Sequence, residues 1–130
     1  MSSHEPSPSR QRTLALQRRS FEFTCAVIRA YPQARPLDDP SRDIWRQLIR
    51  AASSSTFNLE EADAASSDAD FLARMRITLR EAKEAHVAAR IIATCQLAAH
   101  TQATTLVDEA NQLTSIFFTI VKNKSVNRNS

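Results

Sequence analysis

Glycine is missing from all 130 residues of this chain. Tight hairpins and phosphate-cradling loops rely on glycine, because it enters positive φ without a steric penalty. A β-sandwich, a Rossmann motif or a P-loop is therefore not expected. Alanine, arginine, leucine and glutamate recur instead, and most of these are good helix formers. The expected class is all-α, and the length suffices for one domain around one core.

Periodicity predicts four helices. Residues 1–9 are rich in Ser and Pro, with no repeat, and read as a disordered lead. A first helix follows, to about Tyr31. The three prolines of the segment 32–40 then forbid a regular helix. The second helix is expected from Ser41 as N-cap, with Asp43 in its first turn. Its inner stripe is Ile44, Leu48, Ala51, Ala52, Ser55, Leu59 and Ala62, and the small residues allow a close neighbour. Ser67 and Asp70 resemble a capping box at the start of a third helix that runs to roughly Leu97. Its inner stripe is Phe71, Met75, Ala82, Ala89 and Ala93, flanked by Leu72 and Leu79. A turn at Ala99-His100-Thr101 leads to the fourth helix, whose stripe is Leu106, Ala110, Leu113, Ile116, Phe117, Ile120 and Val121. Short connections make this an antiparallel up-down-up-down four-helix bundle over residues 10–124, with a flexible basic and polar tail over 125–130.

The helices are apolar on two sides, although a monomeric bundle needs only one stripe per helix. On the first helix Leu14, Phe21, Cys25 and Ile28 form one stripe, and Leu16, Phe23, Val27 and Ala30 lie nearly opposite. Trp45, Ile49 and Phe57 lie off the inner stripe of the second helix. Ile77, Ala88, Ile91 and Cys95 form a second stripe on the third. Surplus apolar surface has to be buried against something, so the chain is expected to assemble with copies of itself. The residues assigned to that interface are Leu16, Phe23, Val27, Trp45, Ile49, Phe57, Ile77 and Ile91.

The formal net charge is only +3, but its distribution is uneven. Arg10, Arg12, Arg18 and Arg19 load the start, and Lys122, Lys124 and Arg128 the end. Between them lie Glu60, Glu61, Asp63, Asp68 and Asp70. Arg42, Arg46 and Arg50 recur every fourth residue on the second helix, and Arg76, Arg80 and Lys83 form a second basic stripe. On a single subunit such stripes are ordinarily solvated faces, paired here with Asp43, Glu81 or Glu84. Repeated around a ring they form a charged collar, and phosphate binding needs only clustered positive charge. These six are the candidate contacts to RNA or DNA, without sequence preference. The scarcity of aromatic residues argues against base stacking.

Nothing in the sequence assembles a reaction centre. Cys25 and Cys95 lack metal-type spacing and read as two buried thiols in a reducing cytosol. His86 and His100 are not preceded at the third residue by glutamate, so the di-iron bundle motif is missing. His86 reads as a partly buried structural histidine, and His4 falls in the lead. Ser53-Ser54-Ser55 has no activating partner. Asn58 and Glu61 share a side of the second helix with Arg50 and Ser54, and a register-fixing polar layer is the preferred reading over a site. No catalytic residue, metal ligand or cofactor is assigned. With no apolar run of roughly 18 residues and no signal peptide, a cytoplasmic protein off the membrane is expected.

One stretch carries a resemblance. Gln47-Leu48-Ile49-Arg50-Ala51-Ala52-Ser53-Ser54, followed by Asn58-Leu59-Glu60-Glu61, resembles the bacterial four helix bundle protein family encoded in intervening sequences of large-subunit ribosomal RNA genes. Phe71, Arg76-Ile77 and Glu84 fall at matching spacing. The chain departs at Ser55-Thr56, where the family has Ile-Pro, and at Ala62, where it has glycine; both changes should straighten or extend the second helix. That family is similar to the accessory proteins of diversity-generating retroelements, which form homopentameric rings and bind a reverse transcriptase and nucleic acid. The resemblance implies a ring, most simply a pentamer. The expectation is a non-enzymatic, homo-oligomeric accessory protein that binds nucleic acid; the alternative is a protein-interaction scaffold with no nucleic-acid role.

Overall fold

The computed structural model describes residues 5–32 and 37–129, the last two by backbone alone. Four helices span Pro8–Ala30 (α1), Asp39–Asp63 (α2), Asp68–Thr94 (α3) and His100–Asn129 (α4). Each packs on the next, and α1 also meets α4, which closes an antiparallel four-helix bundle. No strand occurs among the described residues. The predicted residues 1–4 of the lead, residues 33–36 of the proline loop and the Arg128 side chain lie outside what is described.

Side-chain caps set the helix starts. The Ser7 hydroxyl accepts from the Arg10 amide at 3.0 Å and Pro8 stands at the start, so α1 begins inside the segment read as lead. The Asp38 carboxylate accepts from the Ser41 amide at 2.8 Å. Asp38, not Ser41, is therefore the N-cap of α2: proline is tolerated in the first turn, which lets the helix enter through Pro40. Ser67 caps α3 as expected, accepting from the Asp70 amide at 3.1 Å, while Asp70 accepts in return from the Ser66 amide at 3.3 Å. Caps of this kind contribute about 1 kcal/mol each.

The end of α3 shows what the chain does without glycine. Gln96 adopts φ 57°, the left-handed conformation that usually recruits glycine after a helix. The Leu97 amide donates to the Ile92 carbonyl at 2.9 Å and the Gln96 amide to Ala93 at 3.3 Å, a complete Schellman closure. Leu97 then packs on the core, and its carbonyl accepts from the Trp45 indole N–H at 3.3 Å. Trp45 is fully buried and meets Tyr31 edge-on, with centroids 5.6 Å apart.

The α2–α3 seam is lined by small residues: Ala51, Ser55 and Ala62 on α2 and Ala82, Ala85 and Ala89 on α3, all buried. The Ser55 hydroxyl reaches across to the Thr78 carbonyl at 3.1 Å, which requires the close approach predicted from the small stripe. Between α1 and α2 lies a hydroxyl cluster. Thr56 Oγ1 is 2.8 Å from Ser20 Oγ and 2.9 Å from Thr24 Oγ1. Thr56 also donates to the Ser20 carbonyl and Thr24 to that of Ala52. Thr56 stands where the resembled family has proline; its hydroxyl takes part in holding α1 to α2, and α2 runs unbroken through it.

This cluster fixes the rotation of α1 and reverses its predicted stripes. Phe23, Val27 and Ala30 point into the core, so Phe23 and Val27 are not interface residues. Trp45 is likewise a core residue rather than a surface one. Leu16 and Ile49 are half-buried against the core, and Ile77 is half-buried. Leu14, Phe21 and Ile28 face outward, 40%, 58% and 45% exposed. Periodicity separates two stripes but does not say which one turns inward; inter-helix hydrogen bonds decide that. Of the residues assigned to an interface, Phe57 and Ile91 are exposed.

Helix α4 continues to Asn129, past the point where polar composition predicts fraying, so 125–129 are helical. Lys124 provides a reason. Its ammonium pairs with Asp68 at 2.9 Å and sits 5.5 Å from the centre of the Phe71 ring, tying the last turns to the start of α3.

Candidate functional site

The conspicuous polar surface lies on the outer side of the α2–α3 seam. Arg50 spans the seam, 3.1 Å from Glu81 and 2.8 Å from Glu84. The Glu81 side chain is only 8% exposed, and Arg80 approaches it at 3.9 Å. A carboxylate this buried requires a cation, so Arg50 and Arg80 are held as its counter-charges. Hydrogen bonding to Arg50 holds the Glu84 carboxyl below its usual range, and the same contact raises Arg50.

The other basic candidates differ. Arg42 pairs with Asp39 one turn back, and Arg46 with Asp43 at 3.2 Å. Both pairs are solvent-facing and belong to α2 alone. Arg76 donates to the Ser125 hydroxyl at 3.4 Å. Lys83 has no acidic partner among the described residues. The six residues are thus not one free patch. Two serve a buried acid, two hold exposed local pairs, and two have no acidic partner among the described residues.

Asn58 and Glu61 do take part in a polar layer, and its organiser is Arg74, which sequence reasoning missed. Asn58 donates to the Ser54 carbonyl at 2.9 Å and accepts from Arg74 at 3.5 Å; Arg74 lies 3.9 Å from Glu61. The two Arg74 contacts cross from α3 to α2, so no spacing within one helix announces them. The Ser53 and Ser55 hydroxyls donate to the Ile49 and Thr78 carbonyls.

On the other side of the bundle two arginines fasten α1. Arg19 grips Glu109 with two hydrogen bonds of 2.6 and 2.7 Å and also reaches Gln112. Arg10 meets Asp63 at 2.5 Å and depresses that carboxyl. The Gln17 Nε2 is buried and itself falls outside hydrogen-bond geometry.

Apart from single exposed residues such as Phe57 and Phe118, exposed apolar side chains among the described residues gather on two surfaces. The first is the outward stripe of α1, where Leu14, Phe21 and Ile28 recur every seventh residue. The second is a groove of about 400 Å³ between α2 and α3, floored by Val87, Ala88 and Ile91 and rimmed by Gln47, Arg50, Lys83 and Glu84. Among the described residues no group of three or more His, Cys, Asp or Glu is placed to hold a metal ion. His86 is half-buried as expected, and burial together with Arg90 lowers its pKa. Cys25 is half-buried and Cys95 exposed, so the expectation of two buried thiols is corrected; Cys95 caps the end of α3, where the helix leaves the core. No helix among the described residues is long and apolar enough to cross a membrane.

Comparison with known proteins places this architecture. The family model for the 23S rRNA-intervening sequence protein matches residues 12–118. A crystal structure of a protein of unknown function from the S23 ribosomal protein family of Bacteroides thetaiotaomicron is similar, with a TM-score of 0.73 and 21% identity, covering 82% of this chain and 98% of that one. At that identity the likeness concerns the fold. No curated protein matches.

Proposed function

The chain belongs to the 23S rRNA-intervening sequence protein family, and from that premise we propose that it is a non-enzymatic building block that works as a homo-oligomer, a ring of five in the simplest form. The observation that carries this reading is the α1 stripe. Leu14, Phe21 and Ile28 are large, outward and aligned over about 21 Å of helix. A soluble bundle gains nothing from three aligned apolar side chains in water, and association covers them.

The engagement of Arg50 and Arg80 with buried Glu81 supports a protein-interaction scaffold over a collar of six free cations. Nucleic-acid association keeps one specific support. Exposed ion pairs contribute about 0–1 kcal/mol, so phosphate can displace Asp39 and Asp43 from Arg42 and Arg46 at little cost. Arg76 and Lys83 extend that reduced set.

Sedimentation of the purified, nuclease-treated protein tests the assembly. The wild type is expected to run as a multiple of the 14.5 kDa subunit. Replacing Leu14, Phe21 and Ile28 together with Gln should yield a helical single subunit. A wild type of one subunit mass at micromolar concentration overturns the proposal.

A further inference from the structure

We infer that the α2–α3 groove receives the outward face of α1 from a second copy of this chain, with Phe21 of one copy against Val87 and Ile91 of the next and Glu22 paired with Lys83. The inference rests on the self-association proposed above and identifies its two faces.

Three observations converge on it. The first is shape. The α1 stripe is a convex row with Phe21 at its centre and most exposed, whereas the α2–α3 seam is a concave apolar trough running about 12 Å from Lys83 to Ile91. The trough accommodates the central knob rather than the whole row.

The second is charge. Glu22, next to Phe21, is the one acidic residue of α1 and forms no ion pair among the described residues. At the groove Arg50 is already held by Glu81 and Glu84, which leaves Lys83 as the rim cation without an acid. Arg18 shares the α1 face with Glu22 and Glu84 shares the groove rim with Lys83, so each face carries both signs, and Glu22 and Lys83 are the members that the docking sets opposite one another.

The third is topology. Helix α1 touches α2 and α4 but not α3, so one subunit cannot bring its own α1 stripe onto its α3 wall. Pairing α1 with α1 of a second copy would stack Phe21 on Phe21 and leave the groove and Lys83 uncovered. The head-to-tail contact covers both surfaces at once. Such a contact is heterologous, and it closes into a ring when the rotation between copies permits.

Reciprocal charge reversal tests this pairing, read by sedimentation over a concentration series, with circular dichroism to verify that each exposed-site variant keeps its helices. Glu22→Lys and Lys83→Glu are each expected to weaken association at least threefold, and the double variant to restore it. If the wild type associates but the single variants do so equally well, this docking is overturned while self-association stands. Singles that weaken without rescue in the double variant also overturn the pairing. A wild type that stays a single subunit overturns the self-association reading itself.

Discussion

Gln96→Gly should stabilise this protein, although glycine is ordinarily the least favourable choice within a helix other than proline. Gln96 holds φ 57°, and its two amide-to-carbonyl closures, from Leu97 to Ile92 and from its own amide to Ala93, both require that geometry. A residue with a Cβ in the left-handed region bears about 1–2 kcal/mol of steric cost. Glycine removes it but loses more backbone freedom on folding, about 0.5–1 kcal/mol relative to alanine. The difference favours the variant by about 0.5–1 kcal/mol. For a chain of this size that corresponds to roughly 2–5 °C in Tm. Urea unfolding followed by circular dichroism, with the m-value held constant, measures it directly. Gln96→Ala is the control, because it shortens the side chain and keeps the Cβ. If Gln96→Ala gains as much as Gln96→Gly, the cost lies in the glutamine side chain rather than the backbone, and the reasoning fails. It fails equally if Gln96→Gly is neutral or destabilising.

Two further outcomes follow from the charge arrangement. Arg42→Gln/Arg46→Gln should weaken binding to labelled RNA or DNA at low salt and reduce the salt-dependence slope by roughly two, since each lost phosphate contact removes about one unit; unchanged affinity across a salt series removes these residues from the proposed contact set. Asp63→Asn should lower the unfolding midpoint at pH 7. The Asp63 carboxyl is held below its usual value by Arg10, so its contribution is complete above about pH 4 and is lost as pH falls through the lowered folded value. Wild type and variant should converge in acid, and a difference that persists at pH 2 would assign the effect to packing instead.

The division between what was legible and what was not follows the range of each interaction. Helix existence, the small-residue seam of α2 and α3 and the Ser67 cap depend on residues within a turn or two of one another, and local pattern reports them. The Asp38 cap was also local; it was missed because Pro40 was read as a breaker, whereas the first turn of a helix tolerates proline. The rotation of α1 is different. Two stripes of similar apolar content face opposite ways, and the choice falls to Ser20 and Thr24 meeting Thr56 36 and 32 residues away. Hydroxyl residues near a stripe are the usable signal, because α1 buries the side whose serine and threonine find partners and leaves the purely apolar side outward.

The same limit governed the candidate site. Spacing placed Arg42, Arg46 and Arg50 on one side of α2, yet their roles diverge with what α3 supplies opposite. Arg50 faces Glu81 and Glu84, whereas Arg42 and Arg46 pair within α2. A repeat of like charges on one helix therefore specifies a shared side but not a shared function. The residue that distinguishes them is Glu81, a carboxylate buried by the packing of α3. Removing Arg50 leaves that charge in a low-dielectric seam with only the more distant Arg80, whereas removing Arg42 exposes Asp39 to water that already surrounds it. Arg50 is in this sense part of the fold, and the surface available for partners begins beyond it, at Lys83 and the apolar wall of Val87 and Ile91.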